Sequence, residues 1–393
     1  MGRGSGRGLG AIDMNAVTPE QVRELFFQSY YLEDGDSKIM LLEEAVRLAD
    51  ICGDFALQYD ARDYLINAAT FGGAPEKALV AYSWCLAQYD AGREREMDEW
   101  KLLWMYKWIL SNIASFPQIG KAQIQEMLDD MAARYQRAGY SLRPNYMLRN
   151  RIYKFWDEAE AARYFRKAQE TYRDSASDCA ACELDDAVSF ALRRNEDAEA
   201  VSLAAPIIAG RLRCGSIPKI TFANLLLPLV RLGRMEEAVS LHLQGYRLLA
   251  SGGKGYISSI ADHITFLDVT ENFDRAVRIF EKHLADAASL ADLAAKFDYY
   301  AASWSLLDAL HERGRATLKL RLPRALEVYD ESGMYQTTTL AGWFLRQAQT
   351  LAARFDARNE SDYYTRLLQE TTALKQLRLN HPIRETEEEY IAG

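Results

Sequence analysis

Asn224-Leu225-Leu226-Leu227-Pro228-Leu229-Val230-Arg231-Leu232-Gly233-Arg234-Met235-Glu236-Glu237-Ala238-Val239 decides the fold. Its first half carries large apolar residues at helical spacing, Gly233 breaks it, and a second helix opens around the small residue Ala238. The arrangement recurs on both sides. Ala162, Ala200, Ala238 and Ala276 stand 38 residues apart, three times in succession; Ala161 fits its own unit better than Ala162, which makes the first interval 39. The flanks agree. One unit has Leu184, Ala187-Val188 and Ala191 before Ala200, Ala204 and Ile207. The next has Phe222, Leu225-Leu226 and Leu229 before Ala238, His242 and Gly245. A third has Ile260, His263-Ile264 and Leu267 before Ala276 and Phe280. Small residues let the two helices of a hairpin approach closely, and large ones fill the gap to the next hairpin. One hairpin cannot bury its apolar face alone, so neighbours must stack.

Outward from this segment the helical period continues. Thr18, Pro19 and Gln21 form a capping-box start signal. Breaks follow at Asp34-Gly35-Asp36, Gly72-Gly73-Ala74-Pro75, Phe116-Pro117, Gly139 to Pro144, Gly215 to Pro218 and Ser251-Gly252-Gly253. A looser unit lies upstream, with Leu65-Ile66, Ala69, Ala78, Tyr82 and Cys85. These signals predict about eighteen helices, or nine hairpins. The expected layout is a disordered N-terminal segment over 1–16, a helical array over 17–380 with its clearest repeats at 180–285, and an acidic C-terminal tail over 381–393.

The stretch 224–239, and with it Asn272-Phe273-Asp274-Arg275-Ala276-Val277-Arg278-Ile279-Phe280, resembles the centre of a tetratricopeptide repeat. The resemblance is clear over 180–285 and weaker over 18–175 and 290–380. It implies an all-α, right-handed α-α superhelix. The chain departs from the family in its period, 38 residues against the usual ~34, and in Arg149, where a small residue is usual.

The net charge is −9, which gives no general attraction for nucleic acid or an anionic membrane. Local basic stretches run from Arg143 to Arg173 and from Arg313 to Arg324. The longest apolar run, Phe222 to Val230, is nine residues, far short of a membrane span. Five cysteines, an odd count without framework spacing, suit reduced thiols and a cytoplasmic chain. Cys179-Ala180-Ala181-Cys182 is a lone CxxC. A zinc site needs further Cys or His at matching spacing, a redox motif needs a strand–helix context, and neither is found nearby in the sequence. No metal or cofactor is expected. The five histidines form no ligand or catalytic motif, and His242 and His263 fall on core positions. Gly252-Gly253-Lys254-Gly255 lacks the strand and the Ser/Thr of a phosphate loop and reads as a turn between hairpins. Trp100, Trp104 and Trp108 form a stripe at i, i+4 and i+8. Core packing between hairpins explains the stripe better than a ligand platform does.

In the tetratricopeptide class the first helix of each hairpin lines a concave groove. The resemblance therefore implies a partner-binding face of Arg143, Tyr146, Asn150 and Tyr153, then Asp185, Ser189 and Leu192, then Ala223, Leu227 and Val230, then Ala261, Thr265 and Asp268. Arg143 and Asn150 would clamp a carboxylate or a peptide backbone, and the tyrosines would stack. With no catalytic motif in the chain, the expected function is a non-catalytic scaffold or adaptor that binds a protein or peptide. A peptide-responsive regulatory sensor, an RNA-binding helical repeat and an enzyme whose site assembles only in the fold are the competing readings.

Overall fold

Helices begin where the sequence offers caps. The Thr18 hydroxyl accepts from the Gln21 amide and the Gln21 side chain returns the bond, so α1 spans Pro19–Ser29 with both orphan donors satisfied. A computed structural model describes residues 17–249 and 253–383. The N-terminal segment 1–16 and residues 384–393 of the acidic tail lie outside the described residues.

The structure is predominantly helical. The elements run α1, α2 (Asp36–Cys52), α3 (Phe55–Phe71), α4 (Pro75–Gln88), α5 (Glu99–Ile113), α6 (Lys121–Arg137), α7 (Arg143–Tyr153), α8 (Glu158–Glu170) and α9 (Ala180–Arg193). Two helices are broken beside prolines: α10 (Asp197–Leu203) continues as α11 (Ala205–Ile208), and α12 (Lys219–Asn224) as α13 (Leu226–Arg231). Then come α14 (Met235–Leu249), α15 (Ile257–Val269), α16 (Phe273–Ser289), α17 (Leu293–Glu312), α18 (Thr337–Asn359) and α19 (Tyr363–Ala373). No described helix is long and apolar enough to cross a membrane.

Most neighbouring helices pack on one another, and α1 also touches α3, α3 touches α5, α5 touches α7, α12 touches α15, and α15 touches α17. The alanine column explains how the pairs close. Ala161, Ala200, Ala238 and Ala276 are all 0% exposed, so any larger side chain would push the partner helix away. Arg149, the departure from the small-residue pattern, is buried but satisfied: it bonds to Asn145, the Tyr153 hydroxyl and Asp129 on α6. His242 and His263 are fully buried, Nδ1 to Nδ1 at 2.9 Å, beneath Gly245. A methyl at Gly245 would meet the His263 ring and the Phe222 Cβ at 3.2 Å.

The apolar residues form two cores, one from Val22 to Ala176 and one from Ala181 to Ile383, with Phe155 packed against both. Contacts between distant segments tie the halves together. Lys254 Nζ lies 2.7 Å from Asp36, and Gly255 sits so close that a Cβ would fall 2.3 Å from the Phe71 carbonyl oxygen. The Arg358 guanidinium donates to the carbonyls of Ala114, Phe116 and Ile119 at 2.8, 3.3 and 3.2 Å, and the Ser361 hydroxyl to that of Phe155 at 2.6 Å.

The last part departs from the expected run of helices. After α17 two strands, β1 (Thr317–Lys319) and β2 (Met334–Gln336), pair antiparallel with Leu318 opposite Tyr335. At three residues each they are too short to show alternation in a sequence. The basic stretch from Arg313 begins here, and two of its cations are already neutralised: Arg313 pairs with Glu271 and Arg315 with Asp274. Residues 379–383, where the tail was expected to start, are held by backbone bonds from Leu379 to Val269 and His381 to Thr270, and by Ile383 to the Asn272 side chain.

Candidate binding face

Two features stand out beyond packing. The first begins with α5. Asp98 caps it, accepting from the Lys101 amide at 3.0 Å. Leu102, Met105, Tyr106, Ile109 and Ile113 bury one face of the helix. The opposite face presents Trp100, Trp104 and Trp108 toward α1 and α3. With Tyr30, Tyr64 and Asn67 they line a cavity of about 390 Å³. The stripe that reads as hairpin packing thus forms a wall. Trp100 is 39% exposed and stacks on Trp104 with ring centroids 5.0 Å apart. Lys107 stands 3.3 Å over the Trp104 ring, fixed from behind by the Ala176 carbonyl and Asp178. Trp108 meets Phe71 edge-on, and the Tyr30 and Tyr64 hydroxyls bond at 2.8 Å. Lys38 and the Asp63–Lys101 pair add charge to the mouth. Rigid aromatic walls with a few fixed polar groups suit recognition of an apolar or aromatic side chain.

The second feature is a set of half-buried carboxyls in the C-terminal half. Burial pushes Asp262 on α15 up to about 8, and the like charge of Asp298 on α17 adds to the shift. Burial raises Asp298 to about 6 against the Ser258 hydroxyl, with Asp292 adding to it. Asp185 on α9 is raised to about 6 by burial, although Thr221 donates to it at 2.5 Å. Lys154 is lowered to about 8 by burial, then by Arg193. Among the described residues no cation pairs with Asp262. Such carboxyls favour the neutral form or an incoming cation.

The residues expected to line a groove fall into different settings. Arg143 is buried and bidentate to Glu183 at 3.0 and 2.9 Å, with further bonds to the carbonyls of Ala168 and Thr171. Asn150 is buried and accepts from Arg193 at 2.7 Å. Tyr146 and Tyr153 both face Tyr164, with centroids 6.0 and 5.2 Å away. Ser189 is half-buried on α9, and Leu192 and Leu227 pack against the core. Val230, Ala223 and Ala261 are buried. The Thr265 hydroxyl donates to the Ala261 carbonyl at 2.9 Å. Asp268 is sealed, bonded to Ser305 at 2.6 Å and paired with Arg378. The structure therefore groups Tyr146 and Tyr153, gives Arg143, Asn150 and Asp268 internal partners, and bonds Asp185 to Thr221. The tryptophan cavity was signalled by the i, i+4, i+8 spacing. Asp262 and Asp298 carried no signal, because their nearness arises from helices far apart in the chain.

Cys179, Cys182 and Cys214 also converge, their sulfur atoms all within 4.8 Å of one another. A scan against protein-family models finds no match for this chain, and a search of the curated proteins finds no relative of it.

Proposed function

We propose that this chain is a tetratricopeptide-like helical array that works as a non-catalytic scaffold or adaptor, holding a segment of another protein along its first helices. The observation that carries this reading is the cavity walled by Trp100, Trp104 and Trp108 across α1, α3 and α5. Aromatic anchors in a preformed recess concentrate binding energy at little entropic cost. The half-buried carboxyls of Asp262 and Asp298 then favour a partner that also carries a basic side chain. The positive clamp expected of Arg143 is instead directed inward to Glu183, so the carboxylate-binding version of this reading is set aside.

Selection from a random peptide library against the full chain tests the proposal. Enriched peptides should pair an aromatic or large apolar residue with Lys or Arg. Trp100→Ala and Trp104→Ala should abolish their binding with helicity unchanged. A library that yields no binder, or binders indifferent to both substitutions, removes the reading.

A second reading is favoured by the same carboxyls. Groups moved to about 6 and about 8 beside a lysine lowered to about 8 are placed for acid–base work near neutrality. An enzyme would convert a component of a cell metabolite extract, and Asp298→Asn would stop the conversion while Trp100→Ala would leave it intact.

A further inference from the structure

Three thiols from two segments meet at the start of α9. Cys179 is its N-cap residue and Cys182 lies in its first turn; the Cys182 amide donates to the Cys179 sulfur at 3.4 Å. Cys214 comes from the link between α11 and α12, 32 residues further on, and its sulfur is 3.3 Å from that of Cys182. The link is pinned. Its Cys214 amide donates to the Ile217 carbonyl at 3.0 Å, Ile217 is buried, and the Tyr256 hydroxyl reaches the Gly215 carbonyl at 3.4 Å. Cys214 is thus presented by a fixed backbone.

We propose that Cys179, Cys182 and Cys214 form a three-thiolate site for a soft d¹⁰ metal ion, Zn²⁺ in the first instance, with its fourth position open to solvent. The spacing fits. A tetrahedral centre with metal–sulfur bonds of about 2.3 Å has sulfur–sulfur edges of about 3.8 Å. One edge here is 3.3 Å and all three atoms lie within 4.8 Å of one another, so shifts of about 1 Å or less complete the site. The bonded distance of a disulfide is far shorter, about 2.05 Å, and a disulfide would leave the third sulfur without a role. Three crowded thiols resist ionising together unless a cation joins them. Among the described residues no fourth His, Cys, Asp or Glu joins the group. Cys179 is exposed, so water or an external thiol can take the remaining place. Binding is a ligand exchange. Three thiols lose their protons to the buffer, three sulfur–metal bonds form, waters leave the ion, and no electron moves.

The test uses the reduced full chain, with Zn²⁺ titrated in competition with a chromophoric chelator and Co²⁺ as a spectroscopic substitute. One equivalent should bind, with proton release, and Co²⁺ should give thiolate-to-metal charge-transfer absorption. Cys179→Ser, Cys182→Ser and Cys214→Ser should each lower Zn²⁺ affinity by at least about tenfold. Cys85→Ser, in the separate N-terminal core, should not. Absence of uptake by the reduced wild-type chain overturns the proposal whatever the variants do. So does uptake with unchanged affinity in all three variants. A Cys182–Cys214 cross-linked peptide in the oxidised chain, together with no Zn²⁺ binding after reduction, would replace the metal site with a redox pair.

Discussion

Arg143 and Glu183 form a bidentate ion pair between α7 and α9, each side chain about nine-tenths buried. Truncating one member leaves a buried charge without its partner. Arg143→Ala should therefore destabilise the chain by about 3–5 kcal/mol in urea unfolding. The double variant Arg143→Met, Glu183→Leu should recover most of that loss, because both charges are then gone. Equal loss in single and double variants would mean that Arg143 acts through its bonds to Ala168 and Thr171 instead.

Trp100 is the most accessible of the three tryptophans, so its removal separates binding from folding. Trp100→Ala should cost under about 1 kcal/mol of stability. It should weaken a selected peptide by tenfold or more, about 1.4 kcal/mol, in isothermal titration calorimetry. Trp104→Ala should cost more stability, since Lys107 loses the ring beneath it.

Asp262 gives a pH signature of defined sign. Its carboxyl keeps its proton in the fold up to about pH 8, whereas its ordinary value is 3.8. Between those limits the folded chain binds the extra proton, so this group lowers stability as pH rises, and does so fully above pH 8. Asp262→Asn lacks the effect. It should gain in stability over the wild type as pH rises from 4 to 8.5, as followed by chemical denaturation. A peptide with a basic residue, if seated there, should bind the wild type more tightly as pH rises and the Asn variant indifferently.

The buried histidine pair has the opposite sign. Burial holds His263 near 3 and His242 well below 6.5. As pH falls below the ordinary value near 6.5, the unfolded chain takes up protons that the fold refuses, and stability drops. The slope reaches about 1.4 kcal/mol per pH unit for each ring. The double variant His242→Leu, His263→Leu should lose roughly 4 kcal/mol less than the wild type between pH 7 and pH 5, about 2 for each ring.

The helical content of this fold was written locally, and so it was legible. Thr18, Pro19 and Gln21 sit within one turn and act within one turn, and the capping box forms as the residues predict. Ala200, Ala238 and Ala276 are buried on α10, α14 and α16, which pack on α9, on α12 and α13, and on α15. The site was less legible, because its groups meet across the fold. Arg143 was expected to face outward, yet its partner Glu183 lies 40 residues away. Cys214 reaches Cys182 only through the bent link that follows α11. The strands at 317–319 and 334–336 are too brief to impose a pattern, and their pairing depends on the loop between them.

The bonds from Arg358 to residues 114–119, and from Lys254 to Asp36, join positions 239 to 244 and 218 apart in sequence. Local helix pairs can form early and independently, but these clasps close loops of more than two hundred residues, with a correspondingly larger entropic cost. Gly255→Ala, whose new methyl would strike the Phe71 carbonyl, should loosen the Lys254–Asp36 tie and raise protease sensitivity while the helices persist. Distance along the chain thus decides where this fold gives way, and helix content decides what survives when it does.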